Sequence, residues 1–249
     1  MGRKLAMALA MALAMASALE SLVLAAATRQ TPRHPAVRAA LARFAAPTDR
    51  QLEHIVARLR RPAPGPLVRA HVLATLPAVG IVQPTPTQAR KIAGLGPVLS
   101  LFGRQFDLDF HLFTVGRDAW FGLYARSVLL MTREGLDLLS PPELAAITAH
   151  ELAHDLIWQL YEDARRRRAT ATLQELELWC DGISVLVLLR LGHDADDLVR
   201  ALTRLGRHNG TLQADLSDAR YVALVDRTEL IRGVAALAAH DALLASGAR

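Results

Sequence analysis

An α+β fold is the class this sequence predicts, a small β-sheet packed beside a mostly helical domain. Two observations carry that reading. Phe106, Leu108, Phe110 and Leu112 alternate with Asp107, Asp109 and His111, the period of a half-buried strand. From Ser140 onward the chain keeps helical start and stop signals to its end. The bulk composition agrees. With 249 residues, 52% hydrophobic and 21% charged, the chain is too apolar for disorder and long enough to bury a core unaided. Its one cysteine, Cys180, allows no internal disulfide.

The first element is a processing signal. Arg3 and Lys4 precede an apolar run, Leu5 to Ala18, built only of Leu, Met, Ala and one Ser. Ala14/Ala16 and Ala16/Ala18 both fit a small-x-small cleavage site, and Glu20 ends the run short of the roughly 20 residues a spanning helix needs. Residues 1–27 therefore read as an export signal. The alternative is an N-terminal anchor, with Leu22 to Ala27 extending the run. No cysteine follows to accept a lipid. The expected location is the periplasm or the medium, with membrane contact only through this segment.

Residues 28–66 read as a helical N-terminal extension, with short helices over 35–46 and 49–60. Thr48 and Gln51 are spaced for a capping box on the second, and RPAPGP (61–66) breaks the chain. The main domain is assigned to 67–249. Its first stretch, 67–105, carries only weak signals. The alternating strand follows, then a turn at Gly116–Asp118, then one or two strands over 119–131. Ser140-Pro141-Pro142-Glu143 places an N-cap, a proline at the first helical position and a glutamate three residues on, predicting a helix to about Ala164. The run Arg165 to Arg168 complements that helix's C-terminal dipole. Thr172 and Glu175 suggest a capping box for a second helix that stops at Gly192. A third runs from about Asp194 to Gly206, and a last over roughly 218–245.

The formal charge is +5, yet the basic residues are scattered, nearly all arginine, and interleaved with few aromatics (5%). That pattern argues against a nucleic-acid partner.

Inside the Ser140 helix stands His150-Glu151-Leu152-Ala153-His154. Two histidines at i and i+4 lie on one helical face and can converge on one zinc ion, with Glu151 beside them placed to take a proton from a water activated at the metal. Such a site needs a third protein ligand. The next helix supplies Glu177 and Asp181, one turn apart among Leu176, Leu178, Trp179, Ile183 and Val185. A buried acidic pair wants a cation. Run back antiparallel, that helix turns Glu177 toward the histidines and lets Asp181 accept the free ring N–H of one of them. Glu175 points the other way. Cys180 reads as a small buried residue, His111 and His193 as surface groups, and Trp120, Phe121 and Tyr124 as packing. Strand 119–131, if an edge beside the cleft, offers its backbone to an extended peptide.

SPPELAAITAHELAH (140–154), followed by Glu177 to Asp181 and by LLRLGHD, resembles peptidase family forty-eight of the metallo class. These are gluzincins related to the CAAX prenyl endopeptidases and to bacterial envelope quality-control proteases. DAWFGLYARSVLLMTREGLDLLS resembles the family's Asn-Ala-Phe strand and the strand and turn after it, so that the likeness spans about 106–232. It implies a zincin domain with His150, His154 and Glu177 as ligands of one zinc ion, Glu151 as general base and Asp181 behind a ligand histidine. Asp118 stands where the family has Asn, and Cys180 where it has Ala. Tyr221 stands where it has the His of a His-Pro pair, and Arg227 aligns with its Arg. Tyr221 and Arg227 are thus candidates for transition-state or substrate contacts. The expected function is a zinc-dependent endopeptidase acting on envelope or secreted polypeptides. The alternative, a metal-bound but non-catalytic chaperone-like or peptide-binding module, does not require Glu151; a metal-free helical interaction protein is the third.

Overall fold

The computed structural model describes residues 34–76, 81–105, 107–114, 118–211 and 222–247. Residues 1–27, read from the sequence as an export signal or an anchor, and Tyr221 lie outside the described residues. His34–Arg249 forms one unit.

Its elements are α1 (Pro35–Ala42), a 3-10 turn (Pro47–Arg50), α2 (Leu52–Leu59), α3 (Pro66–Thr75), α4 (Pro86–Ala93), α5 (Gly96–Phe102), β1 (Asp109–Phe113), β2 (Phe121–Tyr124), β3 (Val128–Thr132), α6 (Arg133–Leu138), α7 (Pro141–Arg166), α8 (Thr170–Arg190), α9 (Asp196–His208) and α10 (Leu224–Gly247). The α+β reading therefore describes the chain: a three-stranded sheet and a larger helical body.

The long helices α7 and α8 set the frame. At the start of α7 the Ser140 N–H donates to Glu143 Oε2 at 2.8 Å, closing one side of the predicted capping box. Arg204 of α9 holds the other oxygen at 2.9 Å. The helix ends where Arg168 turns left-handed (φ 53°), letting Ala169 N–H reach the Ala164 carbonyl at 2.9 Å. Only Arg167 to Ala169 separate the two helices, so α8 returns antiparallel against α7. Every residue of α8 from Leu176 to Val187 is buried. It is apolar nearly all round because it is covered by α7, α1 and α10 together. The Ser184 hydroxyl meets its hydrogen-bonding need on the Ala146 carbonyl of α7, at 2.7 Å. Gly192 (φ 76°) ends the helix as predicted.

The sheet has the order β1-β3-β2, with β1 parallel and β2 antiparallel to β3. β2 is thus an edge strand. It packs against α7. Phe121, Leu129, Met131 and Leu112 face the core from the sheet.

Several local expectations are corrected. Thr48 and Gln51 form no capping box; residues 47–50 make a 3-10 turn and Gln51 is itself the cap of α2. α8 begins at Thr170 behind Ala169, so Thr172 and Glu175 lie inside the helix. Glu175 instead accepts from Arg43 Nε at 2.7 Å, joining α8 to the end of α1. The weakly marked stretch 67–105 holds three short helices, and α6 follows β3 directly with Thr132 Oγ1 as its cap. Among the described residues no helix is long and apolar enough to cross a membrane.

Candidate metal centre

α7 and α8 meet face to face at their middles, and there His150, His154 and Glu177 bring one ligand atom each to within 4.8 Å of one another. His150 and Glu177 are buried; the His154 side chain keeps 15% exposure. Glu177 Oε2 lies 3.5 Å from His150 Nε2 and 3.6 Å from His154 Nε2. Both distances are too long for good hydrogen bonds. They are close to the ~3.3 Å that separates ligand atoms sitting ~2.0 Å from a tetrahedral zinc ion. Glu177 Oε2 is moreover a buried oxygen with no hydrogen-bond partner. An orphaned carboxylate oxygen aimed between two imidazole nitrogens fits a divalent cation, and these three residues are the ones that would hold it.

The surrounding groups fix the donors. His150 Nδ1 lies 2.9 Å from Asp181 Oδ1. Asp181 is gripped in turn by Arg227 of α10, fork to fork, with Nε to Oδ2 at 2.8 Å and Nη2 to Oδ1 at 2.6 Å. Arg227 thereby stands behind Asp181. The other Glu177 oxygen, Oε1, accepts the Tyr161 hydroxyl at 2.9 Å. The rings of His150 and His154, and of His154 and Tyr161, pack edge to face at 5.0 Å. Cys180 Sγ lies 3.6 Å from His154 Nδ1, behind the ring. Burial and the neighbouring Glu177 and Asp181 push its thiol well above the usual range, and it is not one of the three residues whose ligand atoms converge.

Burial works against a charge on His150, but the Asp181 and Glu177 carboxylates outweigh it and hold the pKa up at about 10. His154 is driven down to about 4, first by burial; it is a neutral imidazole, the form that binds metals. Burial disfavours charge on Glu177, yet the histidines hold it near 2. Asp181 is also held near 2 against its burial, chiefly by Arg227. Asp181 is thus matched by Arg227, which leaves Glu177 as the buried carboxylate that faces the two histidines.

Glu151 is half-buried at the rim of the cluster. Its Oε2 accepts the backbone N–H of Leu123, in β2, at 3.1 Å. Burial pushes its pKa up to about 7, only partly offset by the charge of His150.

The structure therefore brings together His150, Glu151, His154, Glu177, Asp181 and Arg227. Two contributors were not foreseen. Leu123 acts through its backbone, which no residue type announces. Tyr161 lies seven residues beyond His154, two turns along the same helical face, and that spacing is visible in the sequence. Asp118 is exposed. Next to it, Asn209 grips the Ala119 backbone with both amide atoms at 2.9 Å, anchoring the approach to β2.

No protein-family model matches the chain, and no curated protein matches it in sequence. What stands is a mostly helical unit with a small sheet and a His–His–Glu cluster of the kind generic to zinc metallopeptidases, able to chelate a metal.

Proposed function

We propose that this chain is a zinc-dependent endopeptidase of the kind its HELAH and ELWCD segments resemble, peptidase family forty-eight of the metallo class. The observation that carries the reading is the orphaned Glu177 oxygen, set 3.5 and 3.6 Å from two histidine nitrogens beside a glutamate that is not a ligand. Zinc bound there would supply Lewis-acid polarisation of a scissile carbonyl and of a water.

The chain's own residues do the rest. With Asp181, held by Arg227, 2.9 Å from His150 Nδ1, Nε2 is the ring nitrogen that would serve a metal. Glu151 takes a proton from water at its carboxylate and delivers it to the leaving amine. The Leu123 N–H keeps that carboxylate at the rim, where substrate and solvent arrive. β2 is an edge strand, and an extended polypeptide pairing with it would lie across the ligand cluster. The residues 1–27 support export, and the substrates are then polypeptides of the envelope or the medium. Tyr221 is the candidate for substrate contact nearest the C-terminus; Arg227 is engaged with Asp181 behind His150 and supports the site from there.

The test is zinc stoichiometry on the purified protein together with casein proteolysis, wild type against Glu151→Gln. One bound zinc with proteolysis that the substitution abolishes supports the enzyme. One bound zinc with no proteolysis in either protein supports the metal-bound, non-catalytic alternative.

A further inference from the structure

Glu177 shows its two oxygens to two different neighbours. Oε2 faces the histidine nitrogens; Oε1 accepts the Tyr161 hydroxyl at 2.9 Å. Tyr161 comes from α7, the helix that carries both histidines, whereas Glu177 comes from α8. The phenol therefore ties the third ligand to the helix of the other two. Its ring also packs edge to face on His154, at 5.0 Å and 81°, so one side chain touches two of the three donors.

This matters because a carboxylate can bind a metal through one oxygen or two. A hydrolytic zinc site needs three protein donor atoms and an open position. A second carboxylate oxygen swung onto the ion would crowd that position. A hydrogen bond to one oxygen leaves the other as the donor and costs the carboxylate its freedom to rotate.

We propose that Tyr161 is a positioning residue that keeps Glu177 a one-oxygen ligand and so preserves the open coordination position. The proposal rests on the zinc reading above, and concerns only which Glu177 oxygen reaches the ion. Tyr161→Phe removes the hydroxyl and leaves the ring that packs on His154.

The experiment compares wild type and Tyr161→Phe, each stripped and reloaded, by zinc affinity against a competing chelator and by the visible spectrum of the cobalt-loaded protein. Wild type should bind one equivalent and show the intense bands of four-coordinate cobalt. Tyr161→Phe should bind zinc about 10- to 100-fold more weakly. Its cobalt bands should weaken as a fifth donor enters. The spectrum reports loaded sites alone, so it decides the matter even if the variant folds less completely. Wild-type affinity and an unchanged spectrum in Tyr161→Phe would overturn the role given to Tyr161 while leaving the metal site intact. Failure of the wild-type protein itself to bind zinc or cobalt would overturn the zinc reading, and this proposal with it.

Discussion

The backbone N–H of Leu123 donates to Glu151 Oε2 across 3.1 Å, joining the edge strand of the sheet to the helix that bears both candidate histidine ligands. Sheet and helical body are thus not merely packed together. The strand orients Glu151, the acidic group at the rim of the cluster that is not one of its three candidate ligands. The contact also explains why Glu151 keeps a fixed place although its burial favours the protonated form.

Glu151→Gln should retain the fold and one zinc ion but lose proteolysis by about 10²- to 10⁴-fold. Glutamine is nearly isosteric and still accepts the Leu123 N–H through its carbonyl oxygen, but it cannot take up the proton. Casein hydrolysis at matched zinc content measures the effect. Wild-type turnover in the variant would remove Glu151 from the mechanism.

Glu177→Ala should strip the metal, whereas Glu175→Ala should keep it. The two lie on opposite sides of α8, and Glu175 serves Arg43, whose guanidinium also sits 4.5 Å over the Trp179 ring. Arg43 and Glu175 are both partly exposed, so their pair contributes ~1 kcal/mol or less. Metal analysis and urea melts of the two variants separate them. Zinc loss in Glu175→Ala alone would reverse the phase assigned to α8.

How much of this was legible follows from how local each determinant is. The HExxH helix reads directly, because its cap and both histidines fall in one segment, Ser140 to His154. Glu177 reads from its phase against Asp181 within a buried run. Glu175 misleads: the T-x-x-E spacing is a local signal, and its partner Arg43 is 132 residues away. Helices α3 and α4 bury one residue each, Val72 and Gln88, so apolar periodicity could not mark them. The Thr85-Pro86-Thr87-Gln88 capping box of α4 was there to be read.

Gly182→Ala should destabilise the protein although it replaces a helix-interior glycine. Elsewhere that exchange gains about 1 kcal/mol in helix propensity. Here a Cβ runs into the ring of Phe44, which is fully buried where α1 ends on α8. Displacing that ring costs about 1–3 kcal/mol, so the net sign is unfavourable. Adding Phe44→Leu should recover part of the loss. A rise in the thermal midpoint of Gly182→Ala alone would contradict the close approach.

Asp241 of α10 accepts both prongs of Arg50, each at 2.6 Å, and Arg50 holds its carboxyl below the usual carboxylate range. A folded pKa below the unfolded value, ~3.9, contributes stability that is complete above the unfolded value. That stability is lost as the pH falls through the folded one. Asp241→Asn should therefore cost on the order of 1 kcal/mol at pH 7. The gap from wild type should close as the solution is acidified below the unfolded pKa. Urea melts at neutral and acid pH test this, and a gap independent of pH would show that Arg50 does not read the charge.

The β2–β3 hairpin allows a prediction in which two changes at adjacent residues have opposite signs. Ala125 (φ 47°) and Arg126 (φ 60°) are both left-handed within the three-residue connection between the paired Tyr124 and Val128, and Ser127 N–H donates to the Tyr124 carbonyl at 3.0 Å. Left-handed positions favour Asn and Gly, and each ordinary L-residue placed there costs roughly 1–2 kcal/mol. Ala125 donates nothing through its side chain, so Ala125→Asn should stabilise the protein, by about 0.5–1 kcal/mol. Arg126→Gly relieves the same strain but removes a side chain in use. Arg126 Nε meets Asp155 at 2.5 Å and Nη2 meets the Pro62 carbonyl at 3.1 Å. Asp155 is buried and shared with Arg104, also at 2.5 Å. Taking one guanidinium from a buried carboxylate costs up to about 3 kcal/mol, more than the turn regains. Arg126→Gly should thus destabilise. It should also lower proteolysis more than zinc content, because the hairpin it loosens carries Leu123 to Glu151. Thermal melts, metal analysis and casein hydrolysis on the two variants check each part. A stabilised Arg126→Gly would mean that Asp155 is satisfied by Arg104 alone.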